Sequence, residues 1–323
     1  MNVHAQSDSL VLSNGDVIVG EIKSMDQGVL TIETPYSKDD FRVKWIYVKE
    51  VYSKVRFLIT LNDGRRMNSI VITKQPGILV IEDEDGDLEE INSYDLVYLK
   101  SLQKEFWNRF NGTVDAGLSF NRANHLRQVN VSSSLGYITN DWGADAYYDF
   151  AGASQDSVSP TRREEGGINF KYFLKRDWYI LPEASFLSNT EQALRPRITA
   201  KLGIGRYVVH TNRAYWGWVG GLTLNAEHFT NETPSRKSAE AYLGTEINRF
   251  DKGNLDFLSN LYVYPSLTEK GRVRTDFRMD MKYEFVHDFY VKINVTYNYD
   301  NQPAIAGNES DYVYGFSVGW ELE

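Results

Sequence analysis

Residues 310–322 alternate with a period of two. Tyr312, Tyr314, Phe316, Val318, Trp320 and Leu322 share one parity, and Val313, Gly315, Ser317, Gly319 and Glu321 share the other. Successive side chains of a strand point to opposite faces, so one face of this segment is apolar and aromatic and the other is small or polar. Residues 289–299 repeat the pattern: Phe289, Val291, Ile293, Val295, Tyr297 and Tyr299 oppose Tyr290, Lys292, Asn294, Thr296 and Asn298. In residues 274–285 the polar face becomes a ladder of charge, with Arg274, Asp276, Arg278, Asp280, Lys282 and Glu284 opposing Thr275, Phe277, Met279, Met281, Tyr283 and Phe285. A soluble sandwich also alternates, but its apolar face is the core and is rich in Val, Ile and Leu. Here an aromatic face opposes a charged one, which predicts a transmembrane antiparallel β-barrel with its greasy side outward.

From Asn111 onward the same pattern predicts twelve strands, near 112–121, 127–138, 141–151, 163–174, 178–188, 195–209, 214–227, 237–250, 254–265, 272–286, 288–300 and 310–322. These lengths suit tilted strands that place about 9–11 residues in a membrane. The connections alternate in kind. Thr139-Asn140, Lys175-Arg176-Asp177, His210-Thr211-Asn212, Asp251-Lys252-Gly253 and His287 are tight, whereas 122–126, 152–162, 189–194, 228–236, 266–271 and 301–309 are longer and polar. Short turns at one end and long loops at the other mark a bacterial outer-membrane barrel, and an even strand count brings both chain ends to the short-turn, periplasmic side.

The chain before the barrel holds an internal repeat. Leu12-Ser13-Asn14-Gly15-Asp16 and Gly28-Val29-Leu30-Thr31-Ile32 recur 49 positions on as Leu61-Asn62-Asp63-Gly64-Arg65 and Gly77-Ile78-Leu79-Val80-Ile81. A third block, Trp45 to Val51-Tyr52, aligns with Ile91 to Val97-Tyr98 at an offset of 46, as if the second copy had lost three residues. Asn14-Gly15 and Asp63-Gly64 between apolar runs signal hairpins. Each copy reads as a small, strongly bent SH3-like or Sm-like sheet. The whole chain is therefore expected to be all-β: an N-terminal tail over 1–9, a tandem head over 10–100, a linker over 101–110 and a barrel over 111–323. In the linker, Leu102, Phe106, Trp107 and Phe110 lie at helix-like spacings beside Lys100, Lys104 and Arg109. Phe106, Trp107 and Phe110, with Trp320 at the other end of the barrel sequence, are candidate membrane-interface anchors, and the linker reads equally as a connector packed between the two domains.

Composition sharpens the picture. Mean hydropathy is -0.44, and no run of about 20 apolar residues exists to make a spanning helix. The chain has 21 Tyr and 7 Trp, which suits interfacial girdles. It has no Cys, which removes disulfides, thiolate metal sites and thiol nucleophiles. Through Glu105 there are 12 Lys and Arg against 18 Asp and Glu, and this acidic balance argues against a nucleic-acid partner despite the Sm-like look. Val3-His4-Ala5 matches the small-x-Ala end of a secretory signal cleaved before Gln6, without the charged and apolar regions that precede such a site, and reads equally as an ordinary ragged terminus.

The head repeat, followed by Lys171-Tyr172-Phe173-Leu174, Phe186 to Gln192, His210 to Gly217 and Val263 to Arg272, resembles the salt-induced outer-membrane protein family. That family is largely defined as a β-barrel domain of unknown function. The resemblance covers the barrel half best. It implies an outer-membrane location with the N-terminal head in the periplasm, and it brings no catalytic residues to carry over.

The candidate site is the charge network expected in the lumen: Arg274, Asp276, Arg278, Asp280, Lys282, Glu284 and Lys292. Asp115, Asp145, Asp149, Lys171, Glu183, Arg197, Lys201, Glu240 and Glu246 share the inward parity. Such a network either lines a narrow path for ions and small solutes or seals the interior with mutually satisfied charges. With about twelve strands the barrel is narrower than an open porin, which favours the seal. Asp83-Glu84-Asp85-Gly86-Asp87 invites a calcium reading, but its glycine is misplaced for such a loop and Asp85-Gly86 suits a hairpin turn. Gly203, Gly205, Gly217, Gly220 and Gly221 mark a bend in the wall or a close approach of another chain, with the bend the simpler expectation. A lipid-modifying enzyme of phospholipase or acyltransferase type needs a nucleophile and base at the membrane boundary. His228 near Ser235 and Ser238, with His125 in the first loop, are the nearest candidates. The expectation is a non-enzymatic outer-membrane protein without cofactor or metal, acting as an envelope structural and interaction protein or a narrow channel. Its partners are expected to be outer-membrane lipids and a periplasmic or outer-membrane protein held by the head.

Overall fold

The computed structural model describes residues 8–102, 109–122, 125–156, 158–190, 194–230, 234–252, 254–285, 289–302 and 309–320. The described residues form two antiparallel sheets. The first contains β1 (Asp8–Leu12), β2 (Val17–Asp26), β3 (Val29–Glu33), β4 (Phe41–Lys44), β5 (Val48–Leu61), β6 (Arg66–Gln75), β7 (Ile78–Glu82), β8 (Leu88–Asn92) and β9 (Leu96–Ser101). Its order is β4-β3-β2-β1-β5-β6-β7-β8, with β9 pairing against both β2 and β5.

The repeat is visible bond by bond. Leu12 N–H donates to the Asp16 carbonyl and Leu61 N–H to that of Arg65. Trp45 N–H donates to the Gly28 carbonyl and Ser93 N–H to that of Gly77. Gly15 and Gly64 adopt φ of 93° and 84° while Asn14 and Asp63 stay out of the left-handed region, so each hairpin closes with its glycine alone in that conformation. The 3-10 turns fall at Trp45–Tyr47 and Ser93–Asp95, an offset of 48. The second copy has thus lost one residue, not three; the apparent match of Trp45 with Ile91 aligned two apolar positions of different elements. Strand β5 belongs to both copies. Its first half pairs with β1, Leu10 opposite Val51, and its second half with β9, Ile59 opposite Leu99. One continuous core unites them, with Leu10, Ile22, Leu30 and Trp45 from one copy against Phe57, Ile59, Val71, Leu79 and Leu96 from the other.

The second sheet has twelve strands: β10 (Phe110–Asn121), β11 (Leu126–Ile138), β12 (Trp142–Gln155), β13 (Val158–Phe173), β14 (Trp178–Asn189), β15 (Leu194–His210), β16 (Ala214–Phe229), β17 (Arg236–Lys252), β18 (Leu255–Pro265), β19 (Val273–Glu284), β20 (Phe289–Asp300) and β21 (Ser310–Trp320). Each pairs with its neighbour in sequence. Two expectations need correction. First, β12 and β13 extend through most of 152–162, leaving only residues 156–157 between them. The segment is small and polar on both parities, so alternation could not reveal it. Pro160 sits beside a register shift between Ala153 and Gln155, where a missing N–H is tolerated. Second, the sheet is not closed: among the described residues β10 pairs with β11 alone and β21 with β20 alone. Eleven pairings are each set by the segment joining consecutive strands. The twelfth would join strands some two hundred residues apart, and no local connection specifies it.

The faces sort as alternation requires. Ile198, Leu202, Leu222, Leu224, Leu243 and Phe316 are exposed on one side. On the other, Thr223, Asn225, Glu227, Ser238 and Glu240 are buried. Glu240 has no exposed surface, and the partners that cover it, Arg274 and Asn225, belong to the same sheet, so the polar face is the concave one. Side chains two strands apart meet across it, as with Lys171 Nζ and Tyr207 Oη at 3.1 Å.

Candidate functional site

Three polar assemblies occupy the concave face and its ends. At the long-connection end, Arg274 donates to Glu240 from Nε at 3.0 Å and from Nη2 at 2.6 Å. Arg272 donates from Nε and Nη2 to the Asp300 carboxylate at 3.0 and 2.5 Å, and from Nη1 to Glu269 at 2.6 Å. Arg236 also pairs with Glu269. Asn225 donates to Glu240 at 3.2 Å, and Arg197 meets Glu227 at 2.6 Å. These charges bridge β15 through β20 and tie the connection at 266–272 to the start of the next one.

The middle of the face is aromatic. Tyr179, Tyr242, Tyr264 and Val219 are buried together, with Leu181, Tyr207 and Tyr262 packed against them. The glycines of β15 to β17 make this possible. A Cβ on Gly203 would strike the Tyr242 hydroxyl, one on Gly205 the Tyr179 ring, and one on Gly244 the Tyr262 ring. These glycines are niches for inward tyrosines; the expected bend is not what requires them.

At the short-turn end sits the head. Arg66 of β6 donates to the Asn140 carbonyl at 2.9 Å, the Thr139 carbonyl at 3.2 Å and Thr60 Oγ1 at 2.9 Å. Its guanidinium lies 3.8 Å from the centre of the Phe173 ring. Burial pulls its pKa down to about 10, so it stays charged at neutral pH. Burial, reinforced by Arg109, likewise lowers Lys100. Tyr215 Oη donates to Asp26 at 3.1 Å, Asn212 Nδ2 to the Leu96 carbonyl at 3.4 Å, and Arg213 lies over Tyr94 at 5.1 Å. Asp177, left-handed at φ 60°, abuts Gly64 and meets His210 Nδ1 at 2.7 Å. Hairpin tips of the head thus seat on the turns at 139–141, 174–177 and 211–213.

The ladder of β19 is not one network. Arg274 reaches across β18 to Glu240, while Asp276 sits among Arg274, Lys201 and Arg197. Arg278 pairs along its own strand with Asp280 at 2.8 Å, and its side chain is 63% exposed. Asp280 also accepts from Asn294 at 2.6 Å. Lys282 pairs with Glu284 at 2.7 Å, and Lys292 lies over the Tyr290 ring at 4.6 Å. Arg272, Glu269, Asp300 and Arg236 escaped sequence reasoning because they stand at strand ends or in connections, where parity says nothing. Arg66 escaped it because its partners are carbonyls some seventy residues away.

Of the candidate anchors, Phe106 and Trp107 lie outside the described residues. Phe110 starts an aromatic row at the short-turn end, with Phe110 to Tyr137 at 4.7 Å, Tyr137 to Trp142 at 5.4 Å and Trp142 to Phe170 at 5.4 Å. Trp320 stacks on Phe289 at 5.8 Å at the same end. Asp83 accepts from the backbone N–H of Asp85 and Asp87 at 2.9 Å, closing a hairpin turn. His228 Nδ1 lies 3.1 Å from Ser235 Oγ, both exposed. His125 pairs with Asp156 at 2.8 Å. Among the described residues no cluster of His, Cys, Asp and Glu is arranged to hold a metal.

A twelve-stranded antiparallel meander with a polar concave face and an apolar convex one defines a barrel-like β protein. Residues 114–321 match the family described as "Protein of unknown function, DUF481", and the chain belongs to that family. The match spans β10 to β21 and leaves the head outside. No curated protein matches the chain.

Proposed function

We propose that this chain is a non-enzymatic outer-membrane β-barrel protein with a periplasmic head, serving as an envelope structural and interaction protein. The observation that carries the reading is the inversion of burial: Glu240, with none of its surface exposed, holds Arg274 on the concave face, while Phe316 on the convex face is 71% exposed. Burying an ion pair while baring aromatics is unfavourable in water and favourable where hydrocarbon surrounds the wall. In the bilayer, β10 and β21 pair to close the wall. The aromatic row from Phe110 to Phe170 marks one interface. The short-turn end faces the periplasm, where the head caps it. The Tyr and Arg clusters fill the interior, which supports a sealed scaffold over a pore. On the head, Tyr52 and Ile72 form an exposed apolar pair on neighbouring strands, with exposed Val19 beyond Ser9 in the same row, a patch suited to a periplasmic protein partner.

A narrow channel is the second reading, favoured by a cavity of about 670 Å³ between the head and the concave face. The exposed His228–Ser235 pair is what favours a lipid-modifying enzyme instead. Purified protein in detergent, run with and without boiling and then added to planar bilayers, tests all three. The scaffold reading expects heat-modifiable migration, no unitary conductance and no lipid turnover. Discrete conductance steps would favour the channel, fatty-acid release abolished by Ser235→Ala the enzyme, and a monodisperse detergent-free protein would remove the membrane reading.

A further inference from the structure

The convex wall is not uniformly apolar. Strand register fixes which side chains share that face with the exposed Leu202, Leu222 and Leu224. From β10 to β16 they include one carboxylate, Glu164, which stands at the long-connection end and is paired with Arg162. At the short-turn end the same face carries Arg206 and no carboxylate. Arg206 is exposed and stands in a cross-strand row between Trp178 and Trp218. Its guanidinium lies 5.7 Å from the centre of the Trp178 ring, and the two indoles meet edge to face at 5.3 Å. Trp142 and Tyr172, opposite each other on β12 and β13, continue the aromatic belt at this end. Among the described residues no side chain or carbonyl accepts a hydrogen bond from Arg206.

Two more cations stand beside this row. Lys175 and Arg176 are exposed in the turn that leads into Trp178. Arg176 holds φ 60° and ψ 43°, a left-handed conformation that is costly for so long a side chain. The one acid of the turn, Asp177, meets His210 at 2.7 Å. Among the described residues neither Lys175 nor Arg176 has a carboxylate within ion-pair distance. On a wall that meets hydrocarbon, an uncompensated cation is tolerated only near the interface, where a phosphate can accept its hydrogen bonds. Tryptophan seats at that same depth.

We infer that Arg206, Trp178, Trp218 and the turn at Lys175-Arg176 form a headgroup site for an anionic glycerophospholipid of the periplasmic leaflet. The fork of Arg206 takes the phosphodiester, and the indoles lie against the glycerol and the upper acyl chain. The charges of the turn select a headgroup of net negative charge, because a zwitterionic lipid brings an ammonium group of its own against them. The inference rests on the membrane reading proposed above.

The test is quenching of the tryptophan emission of the full chain, folded into phosphatidylcholine vesicles that contain either brominated phosphatidylglycerol or brominated phosphatidylcholine. At equal mole fraction the brominated phosphatidylglycerol is expected to quench more strongly. Arg206→Gln is expected to lower the relative affinity for phosphatidylglycerol about fivefold. Arg162→Gln, at the far end of the wall, is expected to leave it unchanged. Should Arg206→Gln fail to insert, Lys175→Gln combined with Arg176→Gly carries the comparison, since glycine adopts the left-handed turn position without strain. Equal quenching by the two lipids, an undiminished phosphatidylglycerol preference in the folded variants, or loss of that preference to inorganic phosphate but not to chloride of matched ionic strength would each overturn the inference and leave the membrane reading standing. Absence of quenching by either lipid would overturn the membrane reading, and the inference with it.

Discussion

Arg274 and Glu240 stand on strands separated by β18, and the guanidinium grips the carboxylate at 3.0 and 2.6 Å. Glu240 also lies 3.9 Å from Arg272. Arg272 has its own partners in Asp300 and Glu269, so Glu240 chiefly balances Arg274. Glu240→Gln leaves Arg274 short of counter-charge and is expected to cost about 3–5 kcal/mol, with Arg274→Gln in the same chain restoring part of it. A double-mutant cycle on melting temperature measures the coupling. Arg278→Ala, by contrast, removes an exposed pair and is expected to cost less than about 1 kcal/mol.

The two parities of β21 are expected to respond oppositely to charge. Phe316→Arg places a cation on the apolar convex face, at a cost of about 2–4 kcal/mol near the midplane of a bilayer. Ser317→Arg points to the polar side and is expected to cost less. Folding yields into lipid vesicles check this, and equal losses would mean that the faces are exchanged.

Seating of the head depends on Arg66. Arg66→Ala removes its bonds to the Thr139 and Asn140 carbonyls and its contact with Phe173, for an expected loss of about 2 kcal/mol at the junction. Gly64→Ala is expected to act similarly, since its φ of 84° is strained for alanine and a Cβ would lie 2.5 Å from Asp177 N. In both variants hydrogen exchange is expected to rise at 139–141 and 174–177, while the core of the head stays protected.

The head is expected to fold alone, but only as a whole. Residues 1–102 contain all nine strands of its sheet and a single shared core. Cutting within β5 takes a strand from both copies. A dispersed NMR spectrum is expected for the intact fragment and a collapsed one for either copy alone.

Asp8 gives the head a pH signature. It is buried, accepts from Ser53 Oγ at 2.5 Å and Ile22 N–H at 2.9 Å, and burial raises its pKa above the ordinary 3.8 in spite of those bonds. The folded head then holds this proton more tightly than the unfolded chain. Its contribution to stability is complete below about pH 4 and is lost as pH rises through the raised value. The melting-temperature difference between the wild-type fragment and Asp8→Asn, followed from pH 3 to 7, is expected to carry that slope.

The sequence by itself determined the strands and their faces. Alternation has a period of two and is local, so Phe316 against Ser317 and Leu224 against Asn225 needed no knowledge of any distant residue. The repeat of Gly15 with Gly64 and of Gly28 with Gly77 was equally plain, because a left-handed turn position admits few residues. Only the tertiary structure decided which charges meet. Arg272 stands just before a strand, and its partners Glu269 and Asp300 come from two different connections. Gly203 looked like a bend until the Tyr242 hydroxyl was found occupying the space of its missing side chain. The seating of Arg66 on the carbonyls of Thr139 and Asn140 involves backbone atoms that every residue possesses, so no pattern of residue types encodes it. Whether β10 meets β21 is of the same kind: alternation orients each edge strand, but two edges far apart in sequence have no turn between them to specify their pairing.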